Sequence, residues 1–178
     1  MRLIVLILTL LPGLAFANDW DVLDQPGAIA IMRHALAPGT GDPSDFDVTD
    51  CSTQRNLDDR GRAQARAIGK AFRDRDITFD AVLTSQWCRC RETAALLGLG
   101  TPRAEPALNS FFSDFSTRES QTEATRALIA ETPGRLMIVT HQVNISALTG
   151  RSTRSGEVLV IRRTDDGVEL LGSIRIPP

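Results

Sequence analysis

The sequence lacks the signatures of several common enzyme classes. No cysteine is followed six positions later by an arginine, because Leu57, Ala94 and Leu96 stand at those places, and this excludes a cysteine-dependent phosphatase. There is no Gly-x-Ser-x-Gly elbow and no Gly-x-x-x-x-Gly-Lys-Ser/Thr loop, so neither a serine hydrolase nor a P-loop protein is supported. The formal net charge of −2 gives no general basic surface, and we expect no nucleic-acid partner.

Histidine and cysteine are also scarce, with two and three copies in 178 residues. The spacing Cys88-x-Cys90 does not match the paired cysteines of zinc sites, so we expect no metal and no cofactor. In an oxidising compartment the simplest outcome is one disulfide and one free thiol. Cys51 can pair with either Cys88 or Cys90, and the closed loop of roughly forty residues would stabilise the fold by roughly 4 kcal/mol.

The first residues, MRLIVLILTLLPGLAFA, have the layout of a secretory signal peptide. The basic Arg2 precedes an apolar run that ends in small residues at Ala17. A spanning helix needs about 20 apolar residues, whereas this run is shorter and is interrupted by Pro12-Gly13. We therefore expect a cleaved signal peptide at residues 1–17 and a periplasmic or secreted single domain at 18–178, without a stable membrane anchor.

The rest of the chain alternates short apolar runs with amphipathic helical segments. Buried strands are predicted at 28–32, 81–85 and 136–140, and two further strands at 157–163 and 168–176. Helices are predicted from about Asp58 to Arg73, from Trp87 to about Gly98, and over 119–131 with Ala124, Ala127 and Leu128 facing inward; residues 101–118 are expected to be irregular. This alternation predicts an α/β fold, a three-layer α/β/α sandwich with a mainly parallel sheet.

Both histidines follow predicted strands, at the sheet edge where parallel α/β proteins place their ligand crevice. Arg33 adjoins His34, Arg89 lies one turn into the next predicted helix, and Arg55 closes the long loop after the first strand; His141 follows a later strand. Arginines gathered at one crevice repel one another unless an anion is bound, and their guanidinium groups match phosphate oxygens. The pattern predicts a phosphate site in which a neutral imidazole can be the nucleophile.

These motifs together resemble the histidine phosphatase superfamily, which includes the phosphoglycerate mutases. The matching stretches are RHA at 33–35, LDDRGRAQA at 57–65, SQWCRCRETA at 85–94 and TH at 140–141. The resemblance implies a phosphoglycerate mutase-like fold in which His34 is phosphorylated, Arg33 and Arg89 bind the phosphoryl group, and His141 stabilises it.

The chain departs from the family pattern at the usual proton donor. Ser110 stands where many members have a glutamate, and Asp114, then Glu119, are the nearby substitutes. Arg55, two residues before a leucine, resembles the bacterial phosphohistidine-phosphatase branch, in which this arginine lines the pocket and the acid is also missing. Asn144 is a candidate for contacting substrate or holding the second histidine, although it can equally cap the following helix.

The expected activity is that of a histidine-dependent, metal-independent phosphatase acting on a phosphoric monoester or a phosphoramidate. A missing general acid favours good leaving groups, because acid assistance is typically worth about 10²–10⁴-fold. The resemblance and the export signal suggest a phosphorylated small molecule or envelope component as substrate. The alternative is a non-catalytic phosphate or phospho-ligand binding protein of the same fold.

Overall fold

The computed structural model describes residues 18–165 and 167–176. The strands are β1 (Ala28–Arg33), β2 (Ala81–Thr84), β3 (Pro102–Ala104), β4 (Leu136–Thr140), β5 (Val158–Thr164) and β6 (Gly167–Ile174). The helices are α1 (Asp59–Arg73), α2 (Cys88–Leu97), α3 (Arg118–Glu131) and α4 (Gln142–Thr149), with short 3-10 helices at Trp20–Asp24, Cys51–Thr53, Pro106–Leu108 and Phe115–Thr117. The predicted signal peptide lies outside these residues, and none of the described helices is long and apolar enough to cross a bilayer.

The six strands form one sheet in the order β3-β2-β4-β1-β5-β6. Strands β3, β2, β4 and β1 are mutually parallel, and β5 and β6 add an antiparallel pair beside β1. The predicted, mainly parallel α/β sheet is therefore confirmed. Strand β3 was not predicted, because three largely exposed residues at a sheet edge are too few to show a period.

The sheet is covered by helices on both faces, which makes three layers. Side chains alternate along a strand, so Ala30 and Met32 of β1 pack with residues of α1 and α2 such as Phe72. Ile31 points to the opposite face and packs with residues of α3 and α4 such as Ile129. Because β1 and β4 are covered on both faces, their sequences are continuous apolar runs rather than alternating ones.

The inward face of α3 differs from the prediction. Ala124 and Ala127 are exposed, and the buried residues of the helix are Thr125 and Ile129. The hydroxyl of Thr125 donates a hydrogen bond to the carbonyl of Ala107 at 2.7 Å, so this polar residue is buried with its hydrogen-bonding group satisfied. Leu128 is half-buried and packs against the core as predicted, whereas Ala124 and Ala127 were assigned to the core wrongly because only apolar residues were counted.

Helix α1 packs closely against the loop after β1 and the end of α2. Asp58 caps it by accepting a hydrogen bond from the backbone of Gly61 at 2.7 Å. A Cβ at Gly61 would overlap the carbonyl oxygen of Leu36, and one at Gly69 would overlap that of Leu97. These two glycines therefore allow α1 to approach both the loop after β1 and the end of α2.

Candidate active site

A pocket of about 170 Å³ opens at the carboxyl ends of β1 and β4, beside the start of α2. Its wall contains five of the residues selected from the sequence, namely Arg33, His34, Arg55, Arg89 and His141. Gly39, Thr40, Gly41, Asp42, Ser110, Phe112, Gln142 and Val143 complete the lining. The topology thus gathers residues that lie more than a hundred positions apart in the chain.

His34 is buried at the end of β1, with 2% of its surface exposed. Its Nδ1 lies 2.7 Å from the carbonyl oxygen of Ala35, and because a carbonyl only accepts, Nδ1 carries the proton. Nε2 is then the unprotonated nitrogen, and it accepts a hydrogen bond from Nε of Arg89 at 3.2 Å. The backbone therefore fixes the tautomer that leaves a lone pair on Nε2.

Burial and then the positive charge of Arg89 lower the pKa of His34 well below its ordinary value. The imidazole is therefore neutral at neutral pH. A neutral imidazole with a free lone pair is a competent nucleophile, whereas an imidazolium is not.

His141 lies beside His34, with ring centroids 5.6 Å apart. Its Nε2 is 2.9 Å from the hydroxyl of Ser85 and 3.5 Å from the thiol of Cys90. Since Ser85 donates its own proton to the amide oxygen of Asn109, it accepts from His141 Nε2. Burial and then Arg89 lower the pKa of His141 well below its ordinary value, so both histidines are neutral in this state.

Three guanidinium groups surround the histidine pair. Arg89, in the first turn of α2, is 3% exposed, and burial followed by the charge of Arg89 lowers the pKa of both Arg33 and Arg55. Arg55 donates from Nε to the carbonyl of Gly41 at 2.8 Å. Among the described residues, the buried Nε of Arg33 has no hydrogen-bond partner. This crowding of cations, one with an unused donor, is suited to binding an anion.

Asp42 is the site residue that sequence reasoning missed. Its carboxylate bonds both terminal nitrogens of Arg89, with Nη1–Oδ1 at 2.6 Å and Nη2–Oδ2 at 3.1 Å. Burial by itself raises the pKa of Asp42, but the hydrogen bond and charge of Arg89 outweigh it, so the pKa is lowered. No local signal singles out Asp42, because it is one of several aspartates in a polar loop.

A disulfide joins the loop after β1 to the start of α2. It links Cys51 to Cys88, with Cα atoms 5.6 Å apart, and leaves Cys90 as a buried free thiol whose pKa burial raises to about 12. Gln54 strengthens the junction by accepting a hydrogen bond from the backbone of Cys88 at 2.9 Å. The link brings the segment that ends in Arg55 beside the helix that carries the central arginine of the pocket.

The structure does not bring Asp114 or Asn144 into the pocket lining. Asp114 is exposed and caps the 3-10 helix at Phe115–Thr117, where its carboxylate accepts hydrogen bonds from the backbone and hydroxyl of Ser116, which lower its pKa. Asn144 is buried and donates to the carbonyl of Asn109 at 2.8 Å, which holds the segment before Ser110 in place. Asp114 is therefore not positioned here to transfer a proton to a ligand beside His34, and the hydrogen bond of Asn144 goes to Asn109 rather than to His141.

Comparison with known proteins shows the family to which the chain belongs. The model of the histidine phosphatase superfamily (branch 1) matches residues 29–118, about half of the chain, and the protein belongs to this superfamily. A comparison with curated proteins gives no match.

Three solved structures show the same fold at low sequence identity. The protein histidine phosphatase SixA in complex with tungstate is 15% identical, with a TM-score of 0.60 over 83% of this chain and 96% of that one. A candidate phosphohistidine phosphatase SixA from Agrobacterium tumefaciens is 20% identical, with a TM-score of 0.62 over 85% and 100%. A phosphoglycerate mutase from Thermus thermophilus is 16% identical, with a TM-score of 0.59 over 84% and 99%.

Proposed function

We propose that this protein is a metal-independent phosphatase that works through a phosphohistidine on His34. The observation that carries the proposal is the geometry of this histidine. Its Nδ1–H is held by the carbonyl of Ala35, so the lone pair of Nε2 lies in the pocket beside Arg89. Membership in the histidine phosphatase superfamily supports a phosphatase activity.

In the first step, Nε2 of His34 attacks the phosphorus atom and the bond to the leaving oxygen breaks. A phosphate dianion repels nucleophiles until its charge is neutralised, and the three guanidinium groups of Arg33, Arg55 and Arg89 line the pocket for this purpose. Because these cations neutralise the phosphoryl oxygens, the reaction needs no metal ion. His141 contributes by contact with the same group from the neighbouring strand.

In the second step, a water molecule attacks the phosphohistidine and the bond between phosphorus and Nε2 breaks. The electron pair returns to Nε2, which restores the neutral imidazole. Inorganic phosphate leaves the pocket, and the protein is ready for another cycle.

For the substrate, we propose a phosphorylated small molecule or envelope component in the periplasm or outside the cell. The basis is the signal-peptide pattern of residues 1–17. Phosphoramidates belong among the test substrates, since the similar solved structures include proteins named as histidine phosphatases.

The decisive experiment measures hydrolysis of p-nitrophenyl phosphate, acetyl phosphate and phosphoramidate in the presence of EDTA. We expect turnover by the wild-type protein, an acid-labile phosphoryl group trapped on the protein, and loss of both in His34→Ala. Arg89→Ala should also lose turnover. Its matched control is Arg91→Ala, which removes an exposed arginine of the same helix and should keep the activity. If wild type and His34→Ala are equally inactive on all three substrates while phosphate still binds, the protein is a phosphate-binding protein instead.

A further inference from the structure

A carboxylate and the predicted nucleophile contact the same guanidinium group. The two oxygens of Asp42 bond Nη1 and Nη2 of Arg89, whereas Nε of Arg89 donates to His34 Nε2. Asp42 is also the only carboxylate residue in the lining of this pocket, as far as the described residues show. Asp42 thus gives the pocket a carboxyl group that can transfer a proton, which Ser110, at the usual position of the acid, cannot do.

Asp42 also lies at the border of a second cavity. This neighbouring space of about 230 Å³ is lined by Phe46, Trp87 and Phe112 and shares Asp42 with the first pocket. A substrate whose phosphoryl group contacts His34 can extend its leaving group into this space. The oxygen between phosphorus and the leaving group would then lie on the side of Asp42.

We propose, resting on the phosphatase function proposed above, that Asp42 is the catalytic residue that protonates the leaving group and then deprotonates the attacking water. Its carboxylate takes the place of the acid that many members of the superfamily carry after a leucine. The aromatic cavity beside it receives the leaving group.

Substrate binding supplies the change of protonation state that this role needs. In the free protein Arg89 keeps Asp42 ionised, and a phosphoryl group matches the same two nitrogens of the guanidinium fork. When the phosphoryl group takes that fork, the carboxylate exchanges a cationic neighbour for an anionic one, and this favours its protonated form. The carboxylate takes this proton from the solvent on substrate binding and returns it when phosphate leaves and Arg89 is again its partner. The backbone N–H of Arg55 and the indole N–H of Trp87, at 3.1 and 3.2 Å, hold the carboxyl group in place meanwhile.

The proton count closes over the two steps. As the P–O bond breaks, its electron pair stays on the leaving oxygen, which takes the proton of the Asp42 carboxyl group and departs as an alcohol. The resulting carboxylate then takes a proton from water while the water oxygen bonds to phosphorus. The P–N bond breaks, Nε2 of His34 regains its lone pair, and Asp42 is again protonated.

The test compares leaving groups in Asp42→Asn and in Asp45→Asn. Asparagine preserves the shape of the side chain, and Asp45 is an exposed residue of the same loop, so its variant removes the same charge without touching the pocket. We expect Asp42→Asn to lower kcat/KM by about 10²-fold or more on phenyl phosphate, whose leaving group needs a proton. On p-nitrophenyl phosphate the loss is expected to be below about tenfold, since this leaving group departs without a proton. Asp45→Asn should match wild type on both substrates.

Three results would overturn the assignment. If Asp42→Asn lowers kcat/KM equally on both substrates, Asp42 is a positioning residue for Arg89. If the variant raises kcat/KM equally on both, Asp42 is an internal anion that competes with substrate. The wild-type protein gives an independent measurement that needs no variant, because a steep dependence of its own kcat/KM on leaving group would show that no acid acts. Failure of the phosphatase function itself is distinguishable, since the wild-type protein would then form no phosphohistidine.

Discussion

The carboxyl ends of β1 and β4 lie side by side, and a histidine follows each strand, but the chain that comes after the two histidines differs. These strands pair in parallel with Arg33 opposite Thr140, so the histidine that follows each strand lies beside the other. After His34 the chain enters a long loop that supplies residues 39–42 and Arg55 to the lining of the pocket. After His141 helix α4 begins at the next residue.

The two imidazoles occupy equivalent places after their strands but differ in their hydrogen bonds. His34 donates from Nδ1 to the carbonyl of Ala35, and its unprotonated Nε2 accepts a hydrogen bond from Arg89 in the pocket. His141 donates from Nε2 to the hydroxyl of Ser85, and this hydroxyl donates in turn to the amide oxygen of Asn109. This difference fits the proposed roles, in which His34 is the nucleophile and His141 is its anchored neighbour.

The largest expected effect comes from cutting the disulfide that holds the loop on the His34 side. In Cys51→Ser the free energy of unfolding should fall by roughly 4 kcal/mol, because the closed loop no longer restrains the unfolded chain. Urea denaturation of wild type and variant measures this loss, and wild type treated with reductant should match the variant. Unchanged stability in both would show that packing alone fixes the loop.

Replacing the second histidine tests its assignment as the anchored partner. His141→Asn should lower kcat by about 10²–10³-fold, the usual cost of losing one stabilising contact to the transition state. The phosphoryl group should still be trapped on His34, which acid-labile labelling and peptide mapping would measure. A variant that forms no phosphoenzyme at all would contradict the separation of roles.

Acid should reduce stability through both rings. Burial and Arg89 lower the folded-state pKa of His34 and His141, so the unfolded chain binds protons first. Their contribution is complete above about pH 6.5 and is lost as the pH falls toward the folded pKa, by up to about 1.4 kcal/mol per pH unit for each ring.

Denaturation curves between pH 7 and pH 5 check this slope. The chain has only two histidines, so His34→Asn should remove about half of the dependence in this range. A slope that does not change in the variant would show that other groups titrate.

The smallest expected effect concerns the hydroxyl that anchors His141. Ser85→Ala removes the hydroxyl that accepts from His141 Nε2 and from the backbone of Trp87 and that donates to Asn109. The bond to His141 is worth about 0.5–1.5 kcal/mol, so its loss should lower kcat by no more than about tenfold. Comparing the kcat of Ser85→Ala with that of His141→Asn in the same assay shows how much of the effect of His141 depends on its hydrogen bond to Ser85. A loss as large as that of His141→Asn would mean that orientation is its whole contribution.

Much of the fold was predictable from local patterns. The buried strands follow from continuous apolar runs, and the start of α1 follows from the cap at Asp58. The sequence does not choose between the two cysteines of α2 as the partner of Cys51, although residues two apart on a helix point to nearly opposite sides. Cys90 is fully buried in the core with Ala94, so Cys88 is the residue turned toward Cys51.

By itself the sequence determined every strand except β3, the cap of α1 at Asp58 and the placing of a histidine after each of two buried strands, because these depend on local patterns of a few residues. Only the tertiary structure decided that Asp42 bonds Arg89, 47 positions further along the chain. It also decided that Asp114 stays with Ser116 outside the pocket. Contacts between distant segments depend on how loops are closed and packed, and no local period of side chains encodes them.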